Sequence, residues 1–451
     1  MDRQLELDAP AFRLASRRST ADRLQSIFGR DWKIALIFVL PTVLIMAGLI
    51  FWPFVNAILL STTSLNFLSG ETANVGLRNY QRLFSNSDYL LSMQNTIRFT
   101  IWSLAIKFAT GMAIALILNS RLPARALLSG IMLLPWIVPE IVTALAWKSI
   151  YDPIFGGLNP ILLGTGIIDR PLGWLSDPHL AMPSVIAVNV WKGIPFYTLL
   201  LLAGLKAIDQ ELLQAAEVDG ANVFQRFRHV TLPGLKYVII VVLLLSFIST
   251  FNQFGLIFLM TGGGPSGATR LYSILAYEKA IGSLQYGPGS AIALSVAPLM
   301  AVIIWLLAKF MRHDENAARV SREPSFGDRL LKLSGRVFGA LLDLVFLPFE
   351  LMFRGLEAIG RVVRKRTTGF ANEPLFKQAQ RGQMAVTGRL LVLLPIMGFV
   401  LFPFYWVIVT SFKSTPQISE RTSIFWPRPF TLDRNTSTST TISTRFQSFL
   451  R

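Results

Sequence analysis

The stretch Gln214-Ala215-Ala216-Glu217-Val218-Asp219-Gly220, followed ten residues later by Val230-Thr231-Leu232-Pro233, is a polar segment set between two long apolar runs. Small residues at 215 and 216 let a helix sit close against another surface. Gly220 suits a tight reversal or a helix C-cap, and Pro233 can open the next helix. A short helix, a turn and a second helix projecting from apolar spans form a docking element rather than a catalytic one. The plainer alternative is an ordinary loop between spans.

The apolar runs fix the class. A membrane-crossing helix needs roughly 20 mostly apolar residues. Seven stretches qualify, at about Ile34–Leu60, Phe99–Leu118, Leu127–Trp147, Ser184–Leu205, Tyr237–Phe258, Ala291–Ala308 and Leu390–Thr410. The expected fold is all-α, a polytopic transmembrane helical bundle of about six core spans plus an interfacial helix and a seventh span. Composition agrees: the chain of 451 residues is 52% hydrophobic and 15% charged, against about 25% charged in soluble domains.

Net charge is +17, but the cations flank apolar spans instead of covering a soluble surface. This suits anionic membrane lipid rather than nucleic acid. The first 33 residues carry seven Lys or Arg, too spread for a secretory n-region. Arg121 and Arg125 follow span two. Lys206, Arg226, Arg228 and Lys236 follow span four, and Lys309, Arg312, Arg319 and Arg322 follow span six. All fall on one side if the N-terminus is cytoplasmic, which predicts a multi-pass protein of the cytoplasmic (inner) membrane with residues 214–233 inside. Cysteine is absent and the three histidines are scattered, so thiol chemistry and a metal site are not expected.

Four parts are expected: a cytoplasmic N-terminal segment (1–33), a transmembrane domain (34–311), a basic cytoplasmic connector (312–388) and a last segment (389–451). In the connector, Arg336, Asp343, Glu350, Glu357 and Arg364 recur every seven residues among apolar neighbours. The pattern reads as an amphipathic helix in the membrane interface, kinked at Pro348, or else as further short spans. Pro53-Phe54 precedes Ser61 as Pro403-Phe404 precedes Ser411, which makes span seven a restart of span one and 389–451 the truncated start of a second module. Asn435–Thr444 is almost all Ser and Thr, a composition that builds no core.

Within the spans, Ser246, Ser249, Thr250 and Gln253 share one helix face and would line either a cavity or a hydrogen-bonded helix interface. Lys107, Glu140 and Lys192 lie deep in spans two, three and four. A charge in lipid costs several kcal/mol, so Glu140 is expected to pair with Lys107 or Lys192.

The 214–233 segment resembles the EAA loop of type I ABC importer permeases, the maltose-transporter-like sugar permeases in particular. The Glu-Ala-Ala, Gly and Ile-x-Leu-Pro spacing is met by Gln214, Ala215, Ala216, Gly220, Val230, Leu232 and Pro233. Gln214 replaces the family's Glu, and Glu211 and Glu217 flank it on nearly the same face. The resemblance covers about residues 30–310, and 390–435 is similar to the start of the partner permease. It implies a permease subunit moving a sugar or polyol, and a loop that docks on a separate ABC ATPase, expected as a dimer. It also implies a second permease subunit and a periplasmic or lipid-anchored solute-binding protein. Sugar contacts would fall at Gly193, Phe196, Ser246, Ser249, Thr250 and Gln253. Ser249, Thr250 and Phe196 differ from the family's side chains, so maltose itself is not expected.

No Walker-type Gly-x4-Gly-Lys-Ser/Thr run occurs, so ATP would be bound by a partner and this chain needs no cofactor of its own. A secondary transporter or channel has no use for the docking loop. A membrane enzyme would need reactive groups that are missing from the spans. A non-functional truncated fragment of a fused permease pair is the remaining alternative.

Overall fold

The computed structural model describes residues 32–65, 70, 73–120, 122–305 and 375–413, with side chains from 37 and, in the last segment, from 387. The helices in chain order are α1 (Trp32–Met46), α2 (Trp52–Ser61), α3 (Arg78–Leu83), α4 (Ser87–Asn119), α5 (Arg125–Ile137), α6 (Glu140–Ile150), α7 (Leu158–Gly164) and α8 (Pro178–Ala207). They continue with α9 (Gln210–Val218), α10 (Val223–Arg226), α11 (Lys236–Phe251), α12 (Gly255–Met260), α13 (Tyr272–Tyr277), α14 (Tyr286–Ser295) and α15 (Leu375–Phe412). Among the described residues, five helices are long and apolar enough to cross a membrane. Two bent pairs bring the number to as many as seven. The expected interfacial helix within 336–366, the Ser/Thr run, Arg121 and the polar N-terminus up to residue 31 lie outside the described residues.

α4 and α8 form the central pair. Each starts on a side-chain cap: Asn86 accepts from the Tyr89 N–H, and Asp177 accepts from the His179 N–H with Pro178 following. Gly111 of α4 lies directly on α8, where a Cβ would stand 2.5 Å from the Tyr197 Cβ. Small residues let helix backbones approach this closely in membranes. Phe99, Met112, Ile114 and Leu118 from α4 are buried against Val185, Val188, Trp191 and Leu201 from α8.

Two expected spans are corrected. Leu127–Trp147 is not one straight span: α5 and α6 meet at 93°. Pro139 disfavours helical geometry in the residue before it, and Val138 is extended at ψ 131°. Tyr237–Phe258 is also interrupted. α11 stops at Phe251, and α12 restarts at Gly255 after a turn. Span two begins earlier than expected, at Ser87, and span six at Tyr286.

α1 and α2 leave their apolar side chains largely exposed, and α2 packs on α14. Span seven, Thr387–Phe412, instead docks on the bundle. Trp191 Nε1 donates to the Val400 carbonyl (3.1 Å) and Trp406 Nε1 to Ser149 Oγ (3.3 Å). Phe399 meets Trp147, and Phe404 meets Trp191. The repeat seen in the sequence has a local counterpart. Ser61 and Ser411 each turn a hydroxyl onto the carbonyl three residues back, at 2.6 and 2.7 Å.

Gly157 marks the tightest part of this docking, because a Cβ there would meet Trp406 ring carbons at 2.5 and 2.6 Å. Gly157→Val is expected to destabilise the detergent-purified chain by about 1–3 kcal/mol through overpacking. The melting midpoint should drop in the full chain and stay put in a version lacking residues 375–451.

Candidate functional site: a polar cavity and an exposed helical loop

A cavity of about 440 Å3 opens between α4, α8 and α11. Gly193, which carries no side chain, lets the Lys107 stem lie across α8 at the cavity wall. Ser246, Ser249, Thr250 and Gln253 line one wall, and Gly193 and Phe196 line another, so the six residues singled out from the sequence meet in one place. Lys107 and Lys192 line it too. Sequence reasoning missed Asn189, Tyr197 and Trp136, which complete the lining. Asn189 was readable as a polar residue four before Gly193 on α8. Trp136 was not, because its position depends on the bend at Pro139.

No direct ion pair within 4.0 Å joins Glu140 to Lys107 or Lys192, although Lys192 lies within electrostatic range of the Glu140 carboxylate. Glu140 Oε1 accepts from Gln253 Nε2 and from the Leu256 N–H, both at 2.5 Å. The bend after Val138 turns the start of α6 toward the start of α12, whose first amides have no intrahelical partner. Glu140 caps one of them, that of Leu256, and holds Gln253 at the cavity rim. Lys107 Nζ donates to Thr250 Oγ1 at 3.1 Å, and Lys192 Nζ to the Val138 carbonyl at 2.5 Å. Asn189 Oδ1 is buried without a hydrogen-bond partner, and the Tyr197 hydroxyl is buried beside Ser246. Buried polar groups are nearly always satisfied, so Asn189 is set for a hydroxylated ligand or water.

A second stripe was also missed. Thr96, Thr100, Ser103 and Lys107 follow one another on one face of α4, all buried, and Thr100 Oγ1 and Ser103 Oγ have no partner. The side-chain types carried the signal, but their helical spacing was hidden in a longer helix than expected.

Residues 214–233 form the anticipated helix, turn and helix. α9 is capped by Asp209, which accepts from the Glu211 N–H. It ends in a paired Schellman arrangement: Gly220 N–H donates to the Glu217 carbonyl (3.1 Å) and Ala221 N–H to the Ala216 carbonyl (2.9 Å). Gly220 is left-handed at φ +76°, which glycine adopts without strain. α10 then opens on a capping box between Asn222 and Gln225. Arg226, itself partly buried, bridges back to the exposed Glu217 at 2.7 Å; with one partner in solvent, the pair contributes about 0–1 kcal/mol.

Phe227 is buried in the core and Leu213 and Leu232 pack beside it, anchoring the loop to the bundle. Gln214, Ala215, Glu217 and Gly220 are exposed. Ala216, Gly220, Arg226 and Val230 border a depression of about 400 Å3. Leu212, Val218 and Val223 are exposed around it, Val218 to 88%, an apolar set that suits a protein partner. The Glu217 carboxylate is held by Arg226, while Glu211 is exposed.

Comparison with known proteins gives this architecture a family. Residues 105–313 match the family model described as the binding-protein-dependent transport system inner membrane component. The chain is 39% identical over 287 residues to the trehalose/maltose transport system permease protein MalF of Thermococcus litoralis, covering 63% of this chain and 96% of that protein. It is 32% identical over 298 residues to the trehalose transport system permease protein SugA of Mycobacterium tuberculosis, covering 65% and 92%. Among solved structures, a bacterial ABC transporter involved in the import of the acidic polysaccharide alginate shares the fold, with a TM-score of 0.55 and 23% identity, over 64% of this chain and 98% of that one. The chain belongs to the family of binding-protein-dependent transport system inner membrane components, the permease subunits of ABC importers. The span at 387–412 lies beyond the residues that the family model matches.

Proposed function

We propose that the chain carries a sugar or polyol across the cytoplasmic membrane through the cavity between α4, α8 and α11, driven by a separate ATPase docked on α9 and α10. The observation that carries the reading is the convergence of Ser246, Ser249, Thr250, Gln253, Gly193 and Phe196 on one cavity of about 440 Å3. That size falls among ordinary small-molecule sites of about 300–1,000 Å3. Hydroxyls and amides match sugar hydroxyls, and Phe196 and Trp136 offer flat apolar faces to a ring. The trehalose and maltose named for relatives point the same way.

The family implies an ATPase and a substrate-binding protein as partners. A second permease subunit would close the other side of the path, and the binding protein would be periplasmic or lipid-anchored. The Lys and Arg residues that follow spans two and four in the sequence support an N-terminus in the cytoplasm. ATP would sit in the partner, and this chain would do no chemistry of its own.

The test is uptake of radiolabelled sugar by cells or vesicles holding the whole transporter. Thr250→Val with Gln253→Ala removes a wall hydroxyl and an amide, and each hydrogen bond to a neutral group is worth about 0.5–1.5 kcal/mol. Uptake at low sugar concentration should fall by about tenfold or more. Unaltered uptake in the double variant would rule the cavity out as the path.

A further inference from the structure

We propose that the solute enters this cavity through an anionic group, a carboxylate, sulfate or phosphate borne on the sugar or polyol. The inference rests on the sugar-permease reading and narrows it to a class of substrate.

Two amines line the cavity; neither has a carboxylate within 4.0 Å, and of the two only Lys192 lies within electrostatic range of Glu140. Lys107 is 4% exposed, and its Nζ donates to a neutral hydroxyl, Thr250 Oγ1. Lys192 Nζ donates to a neutral carbonyl, that of Val138. An ammonium has three donors, so both retain capacity for a ligand. Among the described residues no Asp or Glu lines the cavity. The intramembrane carboxylate at this level, Glu140, is engaged by Gln253 and the Leu256 amide instead. Lys107, with only a neutral hydroxyl as its partner, is the less compensated of the two; such charge away from water is costly, and it is kept where function uses it.

The placement of Lys107 is built rather than incidental. Its stem lies across α8 at Gly193, where a Cβ would stand 2.6 Å from Cε and 2.7 Å from Cδ. Any larger residue at 193 would push the amine out of the cavity. Thr250 then aims it from the opposite wall. An anion held by Lys107 and Lys192 would leave the sugar ring to share the cavity with Phe196, Asn189 and Tyr197, which line the same space. Lys107 and Lys192 therefore act as specificity-determining residues, and they discriminate against the neutral sugar of the same shape.

The experiment uses the complete transporter, this chain with its partner subunits and binding protein, in vesicles of phosphatidylcholine alone so that no anionic headgroup competes. Uptake is measured for matched radiolabelled pairs: glucose against glucuronate, and maltose against maltose 6′-phosphate. The expected result is a preference of at least about tenfold for the anionic member of one pair, as a charge-assisted hydrogen bond provides. Lys192→Gln and Lys107→Met should each erase most of that preference; Lys192, being only half-buried, keeps the test open if the Lys107 variant fails to assemble. Neutral members carried as well as anionic ones, or a preference indifferent to both substitutions, would overturn the anion site and leave the sugar reading standing. Uptake of neither member of either pair would overturn both.

Discussion

Gly220→Pro is expected to reduce ATP-driven uptake by at least about tenfold while the chain still accumulates in the membrane. Two local facts set the size of the effect. Gly220 sits at φ +76°, whereas proline is locked near −65°. Proline also lacks the N–H that Gly220 donates to the Glu217 carbonyl. The turn between α9 and α10 must therefore reopen, and the Ala221–Ala216 bond and the Arg226–Glu217 bridge that depend on it go too. The loop is anchored at Phe227, Leu213 and Leu232 but exposed at its tip, so the damage stays in the docking surface and spares the bundle. Gly220→Ala should fall between, because an L-residue pays about 1–2 kcal/mol in the left-handed region. Uptake assays paired with copurification of the ATPase separate loss of docking from loss of the protein. Wild-type uptake in the proline variant would remove the docking role.

Gly111→Leu is expected to disrupt the bundle itself. The Cβ alone would stand 2.5 Å from Tyr197 Cβ, 3.3 Å from the Thr198 nitrogen and 3.4 Å from the Tyr197 carbonyl carbon. Backbone atoms cannot move aside as a flexible side chain can, so α4 and α8 must separate. Because Lys107 and Thr250 on one side and Tyr197 on the other frame the cavity, separation would deform it as well. Overpacking usually costs about 1–3 kcal/mol, and a backbone clash at the central helix pair belongs at the upper end or beyond. Expected readouts are a lower melting midpoint in detergent and poor membrane accumulation. Gly130→Leu is the control, since nothing lies within 4 Å of a Cβ there.

Much of this molecule could be read from residue patterns. Apolar run lengths located the spans, because lipid leaves few options for a backbone that must satisfy its own hydrogen bonds. The turn at Gly220 was legible because a small residue pair, a glycine and a later proline each carry a local conformational meaning. The polar face of Ser246, Ser249, Thr250 and Gln253 was legible because helical period alone places them together. What escaped was what depends on tertiary direction. Pro139 broke an apolar run that hydropathy reads as continuous, and beyond the bend Glu140 bonds Gln253 and the Leu256 amide directly. Depth along a span cannot reveal such a turn, so it placed Glu140 in range of Lys192 but not its direct partners. The docking of span seven through Trp406 and Gly157 had no sequence signal, because shape complementarity between distant segments leaves none.

The claim at the centre is that α9 and α10 receive an ATPase on the cytoplasmic side. The chain has no cysteine, so any thiol reaction reports an introduced site alone. Ala215→Cys on the exposed face of α9 and Thr165→Cys at the end of α7 can each be treated with a short bifunctional thiol–amine crosslinker in vesicles of the complete transporter. The account predicts a covalent product between this chain and the ATPase from position 215 and none from position 165. Crosslinking to the ATPase from 165, or its absence from 215 in a transporter that still imports, would contradict it.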